Sequence, residues 1–138
     1  MANDCLFCKI INKEIPANIV YEDENFLAFL DLYPVNFGHT LVIPKKHFEN
    51  FSEAPENVLC EIMPVIKKIG NAMLKLPGVD SYNIMVNNGK NAGQLIMHLH
   101  FHVVPRIAGD GFKHWEGKKY ESDEKAQKFV ELIKNNIG

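Results

Sequence analysis

No stretch of this sequence approaches the run of about 20 apolar residues that crosses a bilayer. The first residues, M-A-N-D-C-L-F-C-K-I-I, carry an acid early and no long apolar block, so neither a membrane span nor a secretory leader is expected, and the cytoplasm is the expected compartment. An excess of one charge is lacking too. Fifteen Lys and Arg against 17 Asp and Glu leave a formal charge of −2, and the interspersed Lys and Glu create no basic field for nucleic acid or an anionic membrane. Cysteine is scarce and odd in number, at three. Cys5-x-x-Cys8 in a reducing compartment is then a metal half-site or a pair of small buried residues rather than a disulfide. With no βαβ pattern around it, a thioredoxin-like role is weak. Repeats and low-complexity segments are absent. At 138 residues, 46% of them hydrophobic, the chain can build one good core, and residues 1–138 read as a single domain.

What is present is concentrated in Met97 to Arg106, M-H-L-H-F-H-V-V-P-R. A strand sends successive side chains to opposite faces, so His98, His100 and His102 share one face while Leu99, Phe101 and Val103 share the other. Half of the chain's six histidines fall within these five positions. A row of imidazoles backed by an apolar face suits a bound ligand. The spacing also leaves metal open, since His-x-His on a strand can place two nitrogens on one ion while a third would have to stretch.

The rest of the chain supplies the frame. Residues 4–12 predict a short helix capped by Asp4, with Leu6, Phe7, Ile10 and Ile11 at helical spacing. Ala17–Tyr21 and Phe26–Leu30 predict a hairpin around an acidic turn. The loop from Asp31 to Gly38 leads to a strand over His39–Ile43, ended by Pro44. Between Ala54 and Leu76 an apolar stripe near the 3.6-residue period predicts the main amphipathic helix, with Cys60 as a buried small residue within it and some apolar residues left over for a partner surface. Tyr82–Val86 predicts another strand, Asn87–Gln94 a polar turn, Ile107–Tyr120 an irregular segment, and Ser122–Asn135 a last helix capped by Ser122. Together these predict an α+β fold: an antiparallel meander sheet with one long helix, a short N-terminal helix and a C-terminal helix, the 39–43 and 98–104 strands side by side.

The stretch G-Q-L-I-M-H-L-H-F-H-V-V-P-R resembles the signature of the histidine triad (HIT) family. G-H-T-L-V-I-P-K-K-H, ending at His47, and L-F-C-K-I-I-N-K-E-I-P, ending at Pro16, resemble its nucleoside phosphoramidate hydrolase, or histidine triad nucleotide-binding, branch. The resemblance implies a homodimeric α+β enzyme that binds a purine nucleotide and cleaves the α-phosphate of nucleoside phosphoramidates, acyl-adenylates or dinucleoside polyphosphates through a nucleotidyl-histidine. Carried over by position, His100 is the nucleophile, and His102 and His39 orient it or contact phosphate. Asp31 holds the ribose hydroxyls, and Asn87 with the Gly93 and Gln94 amides meets the phosphate. Leu6, Phe7, Ile10, Ile15, Phe29, Leu32 and Leu41 wall the base pocket. At Leu95, beside the leaving group, relatives often carry a polar residue, frequently Ser. The Cys5-x-x-Cys8 pair resembles that of some bacterial members, in which these cysteines with the counterparts of His47 and His98 form a structural zinc site, so Zn2+ is the implied cofactor. His114 and Trp115 fall where the match fades. Two other readings compete: a nucleotide-binding regulatory module with little or no catalysis, and a hydrolase whose zinc-bound water attacks.

Overall fold

The structure is a computed structural model that describes residues 4–138. The first three residues of the span read as one domain lie outside the described residues. The first element is α1 (Leu6–Ile11). Its cap is not Asp4 but Cys5, whose Sγ accepts the Cys8 backbone N–H at 3.3 Å. Six residues are too few for a helix to persist alone, so α1 depends on burying Phe7, Cys8 and Ile10.

Strands β1 (Ile19–Glu22) and β2 (Phe26–Leu30) form the predicted hairpin. Asp23 closes its turn, with Oδ1 accepting the Asn25 and Phe26 N–H groups at 2.8 and 2.7 Å. Strand β3 (Thr40–Pro44) is buried along its whole length. The long helix α2 (Glu56–Met73) carries Ile62, Val65, Ile66, Ile69 and Met73 inward at helical spacing. Cys60 points the other way: it is exposed, not a buried core residue, because it lies off that stripe. Strand β4 (Val79–Val86) begins three residues before the predicted Tyr82. Strand β5 (Phe101–Ile107) begins later than the histidine pattern implies, so His98 and His100 precede the hydrogen-bonded ladder. The segment after Ile107 is irregular until Ser122, whose Oγ accepts the Lys125 N–H at 3.2 Å and starts α3 (Asp123–Asn136).

Among the described residues five strands make one sheet in the order β1-β2-β3-β5-β4, with every neighbouring pair antiparallel. The first three follow the chain as a meander. Helix α2 then crosses over to β4 at the far edge, and β5 returns into the gap. The alignment Leu41↔His102 puts the histidine strand beside β3 as expected.

Strict alternation divides the sheet into two apolar faces. Ala28, Val42, Leu99, Phe101 and Val103 turn toward α2 and form one core with it. Leu27, Phe29, Leu41 and Ile43 turn the other way and bury α1. Gly70 allows α2 to lie close to β4, since a Cβ there would overlap the Tyr82 ring. By contrast α3 buries none of its residues, and Phe129 and Ile133 stay 52% and 61% exposed.

Candidate active site and metal cluster

His100 and His102 alternate with Phe101 and therefore emerge on the α1 face of the sheet. There they line a cavity of about 330 Å³ whose walls are mainly apolar. Leu6, Phe7, Ile10, Ile15, Phe29, Leu32 and Leu41 all line it, with Asp31, Asn87, Gly93 and Leu95 at its borders. Phe7 packs edge-on against both Phe29 and His100, with ring centres 5.4 and 5.1 Å apart, so the short helix is a wall of the site. Leu32 and Leu95 are 78% and 87% exposed and form the rim.

Hydrogen bonds assign the imidazole protons. The His98 carbonyl lies 2.7 Å from His100 Nδ1 and can only accept, so Nδ1 carries the proton and Nε2 keeps its lone pair for the cavity. His39 is the reverse: its Nδ1 accepts the Val35 backbone N–H at 3.1 Å, which leaves the proton on Nε2. That proton is donated to His102 Nδ1 at 2.9 Å. His102 must then carry its own proton on Nε2, the ring nitrogen left for the cavity. Burial lowers the pKa of His100 and His39 and holds His102 down at about 4, with its neighbours His100 and His39 adding to the effect. All three are neutral at neutral pH.

The remaining expected residues differ in how far they reach the cavity. His39 is 3% exposed and sits behind His102 instead of lining the cavity. Asp31 splits its carboxylate between a turn and the site, with Oδ1 accepting the Tyr33 N–H at 2.9 Å and Oδ2 lying 3.6 Å from His39 Nε2. The Gly93 and Gln94 amides, expected to meet phosphate, are already used: they donate to the Lys90 and Gly89 carbonyls at 3.0 and 3.1 Å. Gln94 does not line the cavity. Its buried side chain accepts the Gly89 N–H and donates to the Glu49 and Ile96 carbonyls, fixing the 89–94 turn to the segment after His47. Asn87 Nδ2 reaches the Gly93 carbonyl at a long 3.4 Å and remains largely available.

Next to this site lies a second cluster. Cys5 Sγ and Cys8 Sγ approach His98 Nδ1 at 3.3 and 3.6 Å, and His47 Nδ1 stands 3.4 Å from Cys8 Sγ and 3.1 Å from His98 Nδ1. The His98 ring is set by its other nitrogen, whose proton goes to the Pro44 carbonyl at 2.8 Å, so the Nδ1 lone pair faces the cysteines. A tetrahedral ion with two sulfur and two nitrogen ligands has edges of about 3.3–3.8 Å. The four atoms therefore form a ready-made Cys2His2 set that could hold a metal ion. Without one, burial and the neighbouring Cys5 push the Cys8 thiol up to about 11.

The HIT domain model matches residues 12–109, which include the triad and the loops around it. The chain belongs to the HIT family. An uncharacterized HIT-like protein of Methanocaldococcus jannaschii is 55% identical over 87% of this HIT chain and 94% of its own. An adenylylsulfatase of Arabidopsis thaliana is 39% identical over 99% of the chain and 71% of its own. An adenosine 5′-monophosphoramidase of Saccharomyces cerevisiae is 42% identical over 74% and 62%. Among solved structures, a Streptococcus mutans protein superposes with a TM-score of 0.93 at 40% identity, covering all of this chain and 88% of that one. A zinc-bound histidine triad protein of Mycobacterium smegmatis matches at 0.77 and 36% identity, covering 96% and 98%.

Two features of this HIT protein lie outside the sequence pattern: Val35, whose amide sets the His39 tautomer, and a polar knot formed by Asn36, Arg106 and Asp110. Arg106 is the chain's single arginine, and that rarity was the signal available.

Proposed function

We propose that this HIT protein is a nucleotide hydrolase or transferase that cleaves the α-phosphate of nucleoside phosphoramidates, acyl-adenylates or dinucleoside polyphosphates through a nucleotidyl-His100 intermediate. The observation that carries this reading is the free Nε2 of a neutral, oriented His100 in an apolar cavity of about 330 Å³. The relatives named adenylylsulfatase and adenosine 5′-monophosphoramidase support the substrate class.

In this reading a purine stacks between Phe7, Ile10 and Leu32, Asp31 accepts from the ribose hydroxyls, and Asn87 donates to phosphate. The His100 Nε2 lone pair forms a bond to phosphorus as the bond to the leaving group breaks, and the leaving group departs with the electron pair of that broken bond and takes up a proton from solvent. His102 Nε2–H donates to a phosphoryl oxygen, a contribution of about 3 kcal/mol for a well-placed donor. Water then breaks the N–P bond, and the proton it loses balances the one taken up earlier. His39 orients His102. Cys5, Cys8, His47 and His98 would hold a zinc ion, which supplies a structural cross-link between α1 and the triad segment. A second copy would pair along β4, an open edge with Ile84 and Met85 about half exposed. The balanced composition and the absence, among the described residues, of a helix able to cross a membrane fit a cytoplasmic protein.

The test is to quench the protein during turnover of an adenosine phosphoramidate and weigh it intact. An adenylyl adduct in the wild type and none in His100→Ala supports the mechanism. AMP release by His100→Ala at the wild-type rate would remove His100 from the nucleophile role. Tight AMP binding with no turnover would favour a regulatory binding module, a reading also served by the apolar Leu95 on the cavity rim.

A further inference from the structure

Beyond the cavity, the end of β5 carries a polar knot. Arg106 Nε and Nη2 grip both Asp110 carboxylate oxygens at 2.7 and 3.0 Å, while Nη1 and Nη2 donate to Asn83 Oδ1 and the Phe112 carbonyl at 2.8 and 3.2 Å. The Asp110 carboxylate also accepts the Phe112 and Ile107 N–H groups at 3.1 and 3.4 Å. Its last partner is distant in sequence: Asn36 Nδ2 donates to Asp110 Oδ2 at 3.0 Å and to the Pro105 carbonyl at 2.9 Å. The Asp110 side chain is only 8% exposed, so this arrangement is not a loose surface pair.

Asn36 belongs to the turn that holds His39. Its own carbonyl accepts the His39 backbone N–H at 3.0 Å, and the neighbouring Val35 N–H is the donor that fixes His39 Nδ1. A tautomer held by one amide is only as well defined as the peptide that carries the amide. That amide belongs to the Pro34–Val35 peptide, one residue before Asn36, and Asp110 and Pro105 anchor the segment through the Asn36 side chain alone. From there the geometry continues through His39 Nε2–H to His102 Nδ1 and ends on the proton that His102 presents to the cavity.

We propose that Asn36 and Asp110 are positioning residues for His102: the end of β5 and the turn after it clip the Pro34–Asn36 segment in place and so set which nitrogen of His102 carries its proton. The catalytic consequence rests on the reading of His102 as a phosphate donor given above, but the tautomer itself does not. A clip that served only to order the segment after β5 would leave the imidazoles unaffected.

The test pairs Asn36→Ala, a half-exposed loop substitution, with Asp110→Asn in the full chain. Side-chain nitrogen NMR reads the tautomers of His39 and His102, and steady-state turnover of an adenosine phosphoramidate reads kcat and KM. In the wild type both rings give a single Nε2–H form. Asn36→Ala moves the two His102 nitrogens toward a common averaged position. It also lowers kcat about tenfold while KM stays within about threefold, a split expected when a proton is misplaced rather than a binding wall lost. Should Asp110→Asn fail to fold, Asn36→Ala still decides. Wild-type His102 signals in Asn36→Ala overturn the proposal whatever the turnover. Averaged signals in a protein whose wild type shows no turnover uphold the clip and instead count against the enzymatic reading.

Discussion

His39 and His102 are held neutral inside the folded protein, and this makes the site acid-sensitive. An unfolded histidine titrates near 6.5, whereas burial holds His102 at about 4 in the fold. Between those values the unfolded chain binds protons that the folded site refuses. Stability therefore falls as pH drops through this window, and this contribution stops changing below about 4. Melting midpoints between pH 7.5 and 4 should decline over that range, and His102→Asn should decline less steeply. Equal slopes would show that the ring is protonated in place. At this scale the sequence was informative: alternation alone separates the imidazoles from Leu99, Phe101 and Val103, and the structure sorts them that way. Which nitrogen bears each proton was not legible, because Val35 N–H and the carbonyls of His98 and Pro44 meet those rings only after folding.

Among the elements, α2 and β4 show how one missing atom sets a distance. Gly70 lies under Tyr82, and a methyl group there would overlap the ring. Gly70→Ala gains up to about 1 kcal/mol of helix propensity but must displace Tyr82, at about 1–3 kcal/mol. The expected net result is a lower denaturation midpoint. In a Tyr82→Ala background the same change should be neutral or stabilising, and additive effects in this double-mutant cycle would show that the two do not meet. The periodicity of α2 and the caps at Ser122 and Asp23 made the elements themselves legible. The start of β5 was not: the Leu99 N–H donates to the Phe48 carbonyl at 2.7 Å instead of joining a ladder, so His98 is free to turn to the cysteines. The hydrogen bonds of the Gly93 and Gln94 amides to the Lys90 and Gly89 carbonyls were not legible for a similar reason, since composition marks a turn without saying which carbonyl each amide reaches.

For the whole molecule, the Cys2His2 cluster joins parts that the sheet alone leaves independent. Cys5 caps α1 and Cys8 lies within it, while His47 comes from the segment after β3 and His98 from the approach to β5. Stripping bound metal with a chelator should lower the melting temperature by about 10 °C and loosen the Phe7 wall of the cavity. Turnover below the new transition should persist, because His100 is not a member of the cluster. Immediate loss of turnover with unchanged melting would favour an attacking metal-bound water. The antiparallel α+β architecture was readable from the pattern of strands and helices. The exposure of α3 and Cys60 was not, because an apolar stripe states that a face is suited to burial and not that anything covers it.

The place of β5 in the sheet also bears on how the protein is made. The strand that lies between β3 and β4 is the last of the five to be synthesised. A chain leaving the ribosome can close the β1–β2–β3 meander early, but β4 emerges with no neighbour and must wait for residues 101–107. The insertion that completes the sheet is also the event that brings His102 beside Leu41 and His100 beneath Phe7. No chain that ends before β5 can hold an assembled triad.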